Sequence, residues 1–379
     1  MKTNQSHPAP AEAPLLRSYM PELDVVRGLA IIFVLFYHGV APPLNATLSR
    51  PARIAYEVSQ RGWVGVNLFF VLSGFLITGI LLDSRKRNDY FRHFYLRRAR
   101  RILPALYALL LILVASGYIS WRFLVLAALF FANGSSLFGV GLQYPPFWSL
   151  AVEEHFYLVW PILVRKFSER TLMAGLASIA IVTPAVRAAG FVLAGRQPDF
   201  VGLLTWFNLD GLAAGALLAI WLRQPTFHRL HLKRAAMPML VAGVCVFLLL
   251  PSGRLMNVMF SATACNVASA GLLSSVMLLG TSRWHNLVAR PFLMFFGYIS
   301  YGLYLAHVLA FRIAEILISG VGWVSASPTF LMAQRFFIGS GLAIAVAYLS
   351  RRSLEEKFLR SRSVAKHPAL STEPVVVER

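Results

Sequence analysis

Ten apolar segments, most of them about 20 residues long, divide this chain, and clusters of basic residues separate many of them. About 20 apolar residues are needed for a helix to cross the hydrocarbon core of a bilayer. Hydrophobic residues make up 57% of the chain and the mean hydropathy is +0.63, which is too apolar for a soluble protein of this size. The sequence therefore predicts an all-α, polytopic membrane bundle of about ten transmembrane helices. They cover residues 23–41, 62–82, 102–120, 147–165, 171–194, 201–222, 235–251, 258–280, 292–318 and 328–350.

An eleventh apolar stretch, "RFLVLAALFFAN" at residues 122–133, is too short to cross a bilayer. It is typical of a re-entrant or short interfacial helix.

The basic residues predict the orientation of the chain. The net charge is +20, but the Lys and Arg residues cluster between apolar segments, which favours cytoplasmic loops over a nucleic-acid surface. With the N-terminus inside, the cytoplasmic loops hold 26 Lys and Arg residues and the outer loops hold six. We therefore predict a multi-pass protein of the cytoplasmic (inner) membrane with both termini inside. Its parts are an N-terminal tail (1–22), a membrane domain (23–350) and a C-terminal tail (351–379).

The first apolar segment carries Asp24, Arg27 and His38, which are expensive residues inside a membrane. Eleven residues separate Arg27 from His38, which is about three helical turns, so both side chains share one face about 16 Å apart. The fourth segment places Glu153 and Glu154 at a depth similar to that of His38. A Glu–His pair is therefore predicted, either as a general base with its partner or as a structural clamp between helices.

Four arginines, Arg97, Arg98, Arg100 and Arg101, precede the third segment at its predicted cytoplasmic mouth. They are typical of a topology signal. An alternative is an anion site, in which Arg97 and Arg101 face the same way and bind phosphate.

Further polar residues lie inside predicted spans. The ninth helix carries Tyr301, Tyr304 and His307 at three-residue spacing. This spacing predicts one stripe of polar side-chain ends along the helix. The alternative is that His307 only forms a hydrogen bond to a neighbouring helix. Asp210 lies among small residues in the sixth segment, where a structural role is expected. Cations lie near the cytoplasm and an acid–base pair lies near the outside, which suits a reaction that crosses the bilayer.

The chain resembles the acyltransferase-3 family of bacterial integral membrane acyltransferases over about residues 20–350. Five blocks in order carry the resemblance: "LDVVRGLAIIFVLFYH", with the hallmark of Arg, ten residues and His, then "GVNLFFVLSGFLIT", "RRARRILP", "WSLAVEEHFYLVWP" and "ISYGLYLAH". Members modify O-antigen, exopolysaccharide, Nod factors, glucans and macrolides.

The resemblance implies acyl-CoA, usually acetyl-CoA, as the donor co-substrate and a hydroxyl as the acceptor. It implies that Arg27 and His38 are essential, that Glu153 and Glu154 support them, and that Arg98 and Arg101 bind the donor. Two residues depart from the family pattern. Asn67 replaces a common aspartate, and Asn208 is the second residue of "FNLD", a segment that often reads "FRxD" in the family. Some relatives carry an esterase-like C-terminal domain that this sequence lacks, so direct transfer or hand-over to a separate periplasmic protein is expected.

We therefore predict an O-acyltransferase in which His38 removes the proton of a hydroxyl on a carbohydrate or lipid-linked glycan. An acyl-histidine relay stays open. No bound cofactor, metal or nucleic acid is expected. The alternative is a proton-coupled transporter or flippase, because intramembrane Arg, His, Glu and Asp residues also suit a carrier.

Overall fold

The computed structural model describes residues 14–17, 20–42, 47–194, 202–250, 254–282, 286, 290–320 and 327–360. These residues form twelve α-helices of eight or more residues and no β-strand, which confirms the all-α bundle. The helices are α1 (Pro21–Gly39), α2 (Arg50–Ser59), α3 (Val64–Ser84), α4 (Tyr90–Ala115), α5 (Trp121–Ala128), α6 (Pro146–Lys166), α7 (Glu169–Ala194), α8 (Leu209–Trp221), α9 (Arg229–Leu249), α10 (Arg254–Gly280), α11 (Pro291–Gly320) and α12 (Pro328–Ser350).

All ten predicted segments contain a helix, and six helical stretches within the described residues are long and apolar enough to cross a membrane. The long helices α1, α4 and α6 are not among these six. They are the helices that carry Arg27, the arginine run, and Glu153 with Glu154. Charge is thus concentrated on a few helices, as expected where membrane helices surround a polar site.

The sixth predicted span is wrong in its length. Residues 201–222 were expected to cross the bilayer, but α8 has only 13 residues and follows a 3₁₀ turn at Thr205–Phe207. The Asn208 side chain donates hydrogen bonds to the carbonyls of Gly202 and Leu204, at 2.8 and 3.0 Å. Such side-chain bonds stabilise a turn in competition with the helix.

The third predicted span is also corrected. Helix α4 begins at Tyr90, so the arginine run lies on a continuous helix and does not precede it. Pro104 lies inside this helix. A proline lacks the N–H of a helical hydrogen bond, and here the helix continues through it. The apolar run begins only after Arg101, which explains why the hydropathy pattern suggested a later start.

Short elements complete the bundle. Helix α5 has eight residues, so the apolar stretch 122–133 forms no spanning helix, as predicted, and a 3₁₀ helix follows at Ala132–Phe138. The predicted C-terminal tail is helical at its start, because a short π-helix (Arg351–Glu355) and a five-residue helix α13 (Glu356–Arg360) continue from α12. Residues 361–379 and 1–13 of the predicted tails lie outside the described residues.

Helix α1 packs against α11 with backbones in direct contact. A methyl group on Gly28 would lie 2.0 Å from the carbonyl oxygen of Leu293, and one on Gly297 would lie 2.0 Å from that of Asp24. No side chain fits at either position. Small residues allow membrane helices to approach this closely, and the two contacts fix α1 and α11 side by side.

A buried ion pair holds α7 and α8 together near the short helix. Both oxygens of Asp210 accept hydrogen bonds from Arg187 at 2.9 Å, and Thr263 of α10 donates to Asp210 at 2.6 Å. Both charged residues are buried. This arrangement agrees with the structural role expected for Asp210.

Candidate active site

Helices α1, α3, α4, α6 and α11 surround a cavity of about 110 Å³. Its polar lining consists of three arginines, one glutamate and six hydroxyl groups, and aliphatic and phenylalanine side chains complete the wall. The polar residues are Arg27, Arg98, Arg101, Glu153, Ser73, Ser149, Tyr157, Ser300, Tyr301 and Tyr304. Candidate site residues from four separate sequence blocks therefore line the same cavity.

The three arginines have different partners. Arg27 forms an ion pair with Asp24, one turn earlier on α1. The Arg98 guanidinium lies 5.0 Å from the centre of the Tyr157 ring. Within the described residues, neither Arg98 nor Arg101 forms a hydrogen bond or an ion pair. Glu153 lines the same cavity and interacts electrostatically with both arginines, but it forms no hydrogen bond or ion pair with either of them. Their N–H donors therefore have no acceptor among the described residues, and such guanidinium groups bind phosphate or carboxylate well.

The structure places Arg97 apart from this pair. Its side chain is exposed and its Nη1 lies 3.3 Å from His93 Nε2, one turn back on α4. Arg97 is not among the cavity residues. The structure therefore places Arg98, and not Arg97, in the cavity with Arg101. Phosphate binding by Arg97 and Arg101 stays a prediction.

The predicted Glu–His pair is not formed. Glu153 accepts hydrogen bonds from the hydroxyls of Ser73 and Tyr157, both at 2.9 Å, so it is engaged inside the cavity. Glu154 does not line the cavity, and its buried Oε1 has no hydrogen-bond partner among the described residues. Similar depth along two helices did not bring these side chains to His38, because depth says nothing about which face each helix presents.

His38 pairs with another histidine. Its Nδ1 lies 3.2 Å from Nε2 of His307 and 3.2 Å from the carbonyl oxygen of Val34. The two rings lie edge to face, with their centres 4.8 Å apart. His307 is completely buried, whereas His38 is partly exposed. The predicted partner of His38 was an acid on α6, and the observed one is an imidazole on α11.

Tyr304 connects the cavity with the histidine pair. Its hydroxyl is hydrogen bonded to Ser149, and both residues line the cavity. Its ring lies 5.8 Å from that of His307, and its carbonyl oxygen is 2.8 Å from His307 Nδ1. The stripe predicted from the three-residue spacing therefore runs from the cavity to His38. Tyr301 lines the same cavity and donates a hydrogen bond to the carbonyl of Ile102 at 2.7 Å.

Two residues that the sequence did not indicate hold the histidine pair in place. Arg335 of α12 donates to the carbonyl of His38 at 2.7 Å and to Glu315 at 2.7 Å. The buried Tyr144 hydroxyl donates to the carbonyl of Leu305 at 2.6 Å. Arg335 is a lone arginine in an apolar segment, and this pattern could have indicated a functional or structural role. Tyr144 stands in a turn with no distinctive sequence pattern.

Comparison with known proteins shows the family of the chain. The sequence profile of the family described as "Acyltransferase domain" matches residues 20–352. The chain belongs to the acyltransferase-3 family. It is therefore an acyltransferase, and its helices make it a multi-pass membrane protein.

Curated relatives of this acyltransferase match part of the chain. Peptidoglycan O-acetyltransferase OatA of Listeria monocytogenes is 34% identical over 176 residues, which cover 40% of this chain and 25% of the relative. O-acetyltransferase OatA of Staphylococcus aureus is 27% identical over 227 residues, which cover 54% and 35%. The matched regions thus span about a third of these relatives or less. No solved structure matches the chain.

Proposed function

We propose that this acyltransferase moves an acyl group, most simply acetyl, from acyl-CoA to a hydroxyl of a cell-envelope glycan. The observation that carries the proposal is the pair Arg98 and Arg101, which line the cavity and form no hydrogen bond or ion pair with any described residue. The phosphates of CoA supply acceptors for these guanidinium groups. The orientation predicted from the loop charges places this end of the cavity toward the cytoplasm, where acyl-CoA is present.

His38 performs the acid–base chemistry in this proposal. Its imidazole takes the proton from the acceptor hydroxyl as that oxygen attacks the thioester carbonyl. The tetrahedral intermediate then collapses with cleavage of the C–S bond, and the thiolate of CoA takes up the proton from His38. The products are the O-acyl ester and free CoA. Arg27 lies about 16 Å from His38 along α1, so it holds the donor and does not contact the reacting carbonyl.

The names of the relatives support a glycan acceptor. Listeria OatA is named a peptidoglycan O-acetyltransferase, and the Staphylococcus protein is an O-acetyltransferase. A hydroxyl of a carbohydrate, presented free or on a lipid carrier at the outer side of the cytoplasmic membrane, suits the position of His38 near the outer end of α1.

Thioester turnover tests the proposal. The purified protein in sealed lipid vesicles is supplied with acetyl-CoA and a labelled soluble glycan fragment, and free thiol release is measured together with glycan mass. We expect CoA release matched by acetylated glycan, with neither in a His38→Gln control. A transporter or flippase would move labelled glycan into vesicles without releasing CoA, and that result would replace the proposal.

A further inference from the structure

The hydrogen bonds of His307 determine which of its ring nitrogens carries the proton. Its Nδ1 lies 2.8 Å from the carbonyl oxygen of Tyr304 and 3.3 Å from that of Leu303. Both neighbours are acceptors only, so the neutral ring must carry its hydrogen on Nδ1. The Nε2 atom of His307 is then an acceptor, and it points at His38.

The same reasoning determines the tautomer of His38. Its Nδ1 has two neighbours at 3.2 Å, namely the carbonyl oxygen of Val34 and Nε2 of His307. Since both are acceptors, Nδ1 of His38 carries the hydrogen. The lone pair of the neutral ring is then on Nε2, which has no hydrogen-bond partner among the described residues.

We propose that His307 is a positioning residue that holds His38 in the Nδ1–H tautomer, so that Nε2 takes the proton of the acceptor. The proposal rests on the proposed acyl transfer. Because the other ring nitrogen determines which atom is free to react, a neutral histidine can direct its partner without carrying charge. A carboxylate was expected to do this, and in this structure an imidazole occupies the place.

The backbone around the pair is fixed as well. Arg335 donates hydrogen bonds to the carbonyls of both His38 and Gly39, at the end of α1. The Tyr144 hydroxyl donates to the Leu305 carbonyl and accepts from the Leu309 N–H at 3.3 Å, so it lies between two groups that otherwise bond each other. The turn of α11 that carries His307 is therefore held from both sides of the residue.

Two substitutions at position 307 separate tautomer control from packing. His307→Phe keeps a planar ring but removes the acceptor. His307→Gln keeps an oxygen near the position of Nε2, so it accepts the bond from His38. If His307 only fills space, Phe is the better replacement. If it positions His38, Gln is the better one.

The first measurement is the tautomer itself. Protein labelled with ¹⁵N-histidine is studied by solid-state NMR in lipid at neutral pH, and the His38 signal is assigned by its loss in His38→Gln. We expect Nδ1–H in the wild type and in His307→Gln, and a mixture with Nε2–H in His307→Phe. An Nε2–H signal in the wild type would overturn the proposal. Pure Nδ1–H in His307→Phe would also overturn it, because the Val34 carbonyl alone would then determine the tautomer of His38. This measurement needs no turnover, so it stands apart from any failure of the acetyl-CoA assay.

The second measurement is kinetic. His307→Phe should lower kcat by about 10²-fold with an unchanged KM for acetyl-CoA, because general base catalysis is worth about 10²–10⁴-fold. His307→Gln should recover most of that loss. The matched control is His93→Phe, which removes a histidine outside the cavity and should leave both constants unchanged. Full kcat in a folded His307→Phe, or a larger loss in Gln than in Phe, would contradict the positioning role.

Discussion

The two ends of α1 differ in how their polar side chains are paired. At the Arg27 end, three guanidinium groups and one carboxylate line a cavity, and two of the arginines form no hydrogen bond or ion pair among the described residues. At the His38 end, two imidazoles bond each other, and the nearby Arg335 is engaged by Glu315 and by backbone carbonyls. The first end suits capture of an anion by charge. The second suits proton transfer at one defined nitrogen, so changes at the two ends should affect different kinetic constants.

The largest effect is expected from the outer end. His38→Gln should lower kcat by about 10³-fold, because the amide cannot exchange a proton near neutral pH. The KM for acetyl-CoA should stay within about twofold, because the donor is held at the other end. Steady-state kinetics on variants with normal membrane levels provide the measurement. Near-normal turnover would remove His38 from the chemistry and leave it as a clamp.

The next effect concerns the inner end. Arg98→Gln with Arg101→Gln should raise the KM for acetyl-CoA by about 10–100-fold with little change in kcat, because charge-assisted hydrogen bonds contribute about 1.5–3 kcal/mol. The matched control is Arg97→Gln with Arg100→Gln, which removes equal charge from residues outside the cavity lining. Equal effects in the two double variants would show that the run acts only through overall charge.

Arg27→Lys should have a smaller effect at the same end. Lysine keeps the charge but loses the planar guanidinium group, whose Nη1 pairs with Asp24. Its ammonium is also harder to satisfy inside the membrane. We expect a rise of about three- to tenfold in the KM for acetyl-CoA. An unchanged KM would indicate that position 27 needs only a positive charge.

The smallest kinetic effect is expected at the buried pair between α7 and α8. Asp210→Asn should leave both kinetic constants unchanged at low temperature, because this residue lies outside the cavity lining. It should still destabilise the fold by about 3–5 kcal/mol, since it leaves Arg187 buried without its counter-charge. Thermal unfolding in detergent measures the loss. A kinetic defect without a loss of stability would extend the active site to α8.

Much of this fold follows from patterns along the chain. The lengths of the apolar runs predicted the helices, and the eleven-residue spacing predicted that Arg27 and His38 share one helix, as α1 confirms. The three-residue spacing of Tyr301, Tyr304 and His307 also predicted a continuous face. These features depend on a single helix, so the sequence contains the information that determines them.

Apart from the length of α8 and the start of α4, the errors concern relations between helices. Depth suggested that Glu153 meets His38, but the glycine contacts place α11 beside α1 and bring His307 there. Arg97 and Arg98 are neighbours in sequence, yet the rotation of α4 places only Arg98 in the cavity. Rotation and pairing depend on packing among several helices, which hydropathy and spacing do not specify.

The geometry of α1 and α11 also fixes the distance between the two ends of the site. The rise of α1 sets the distance from Arg27 to His38 at about 16 Å. Because the backbones touch at Gly28 and Gly297, α11 cannot slide along α1, and His307 stays beside His38 at one end of this distance. A donor must match that length to reach both ends at once. A short thioester such as S-acetyl-N-acetylcysteamine can occupy one end only, so it would react poorly even though its thioester is chemically the same.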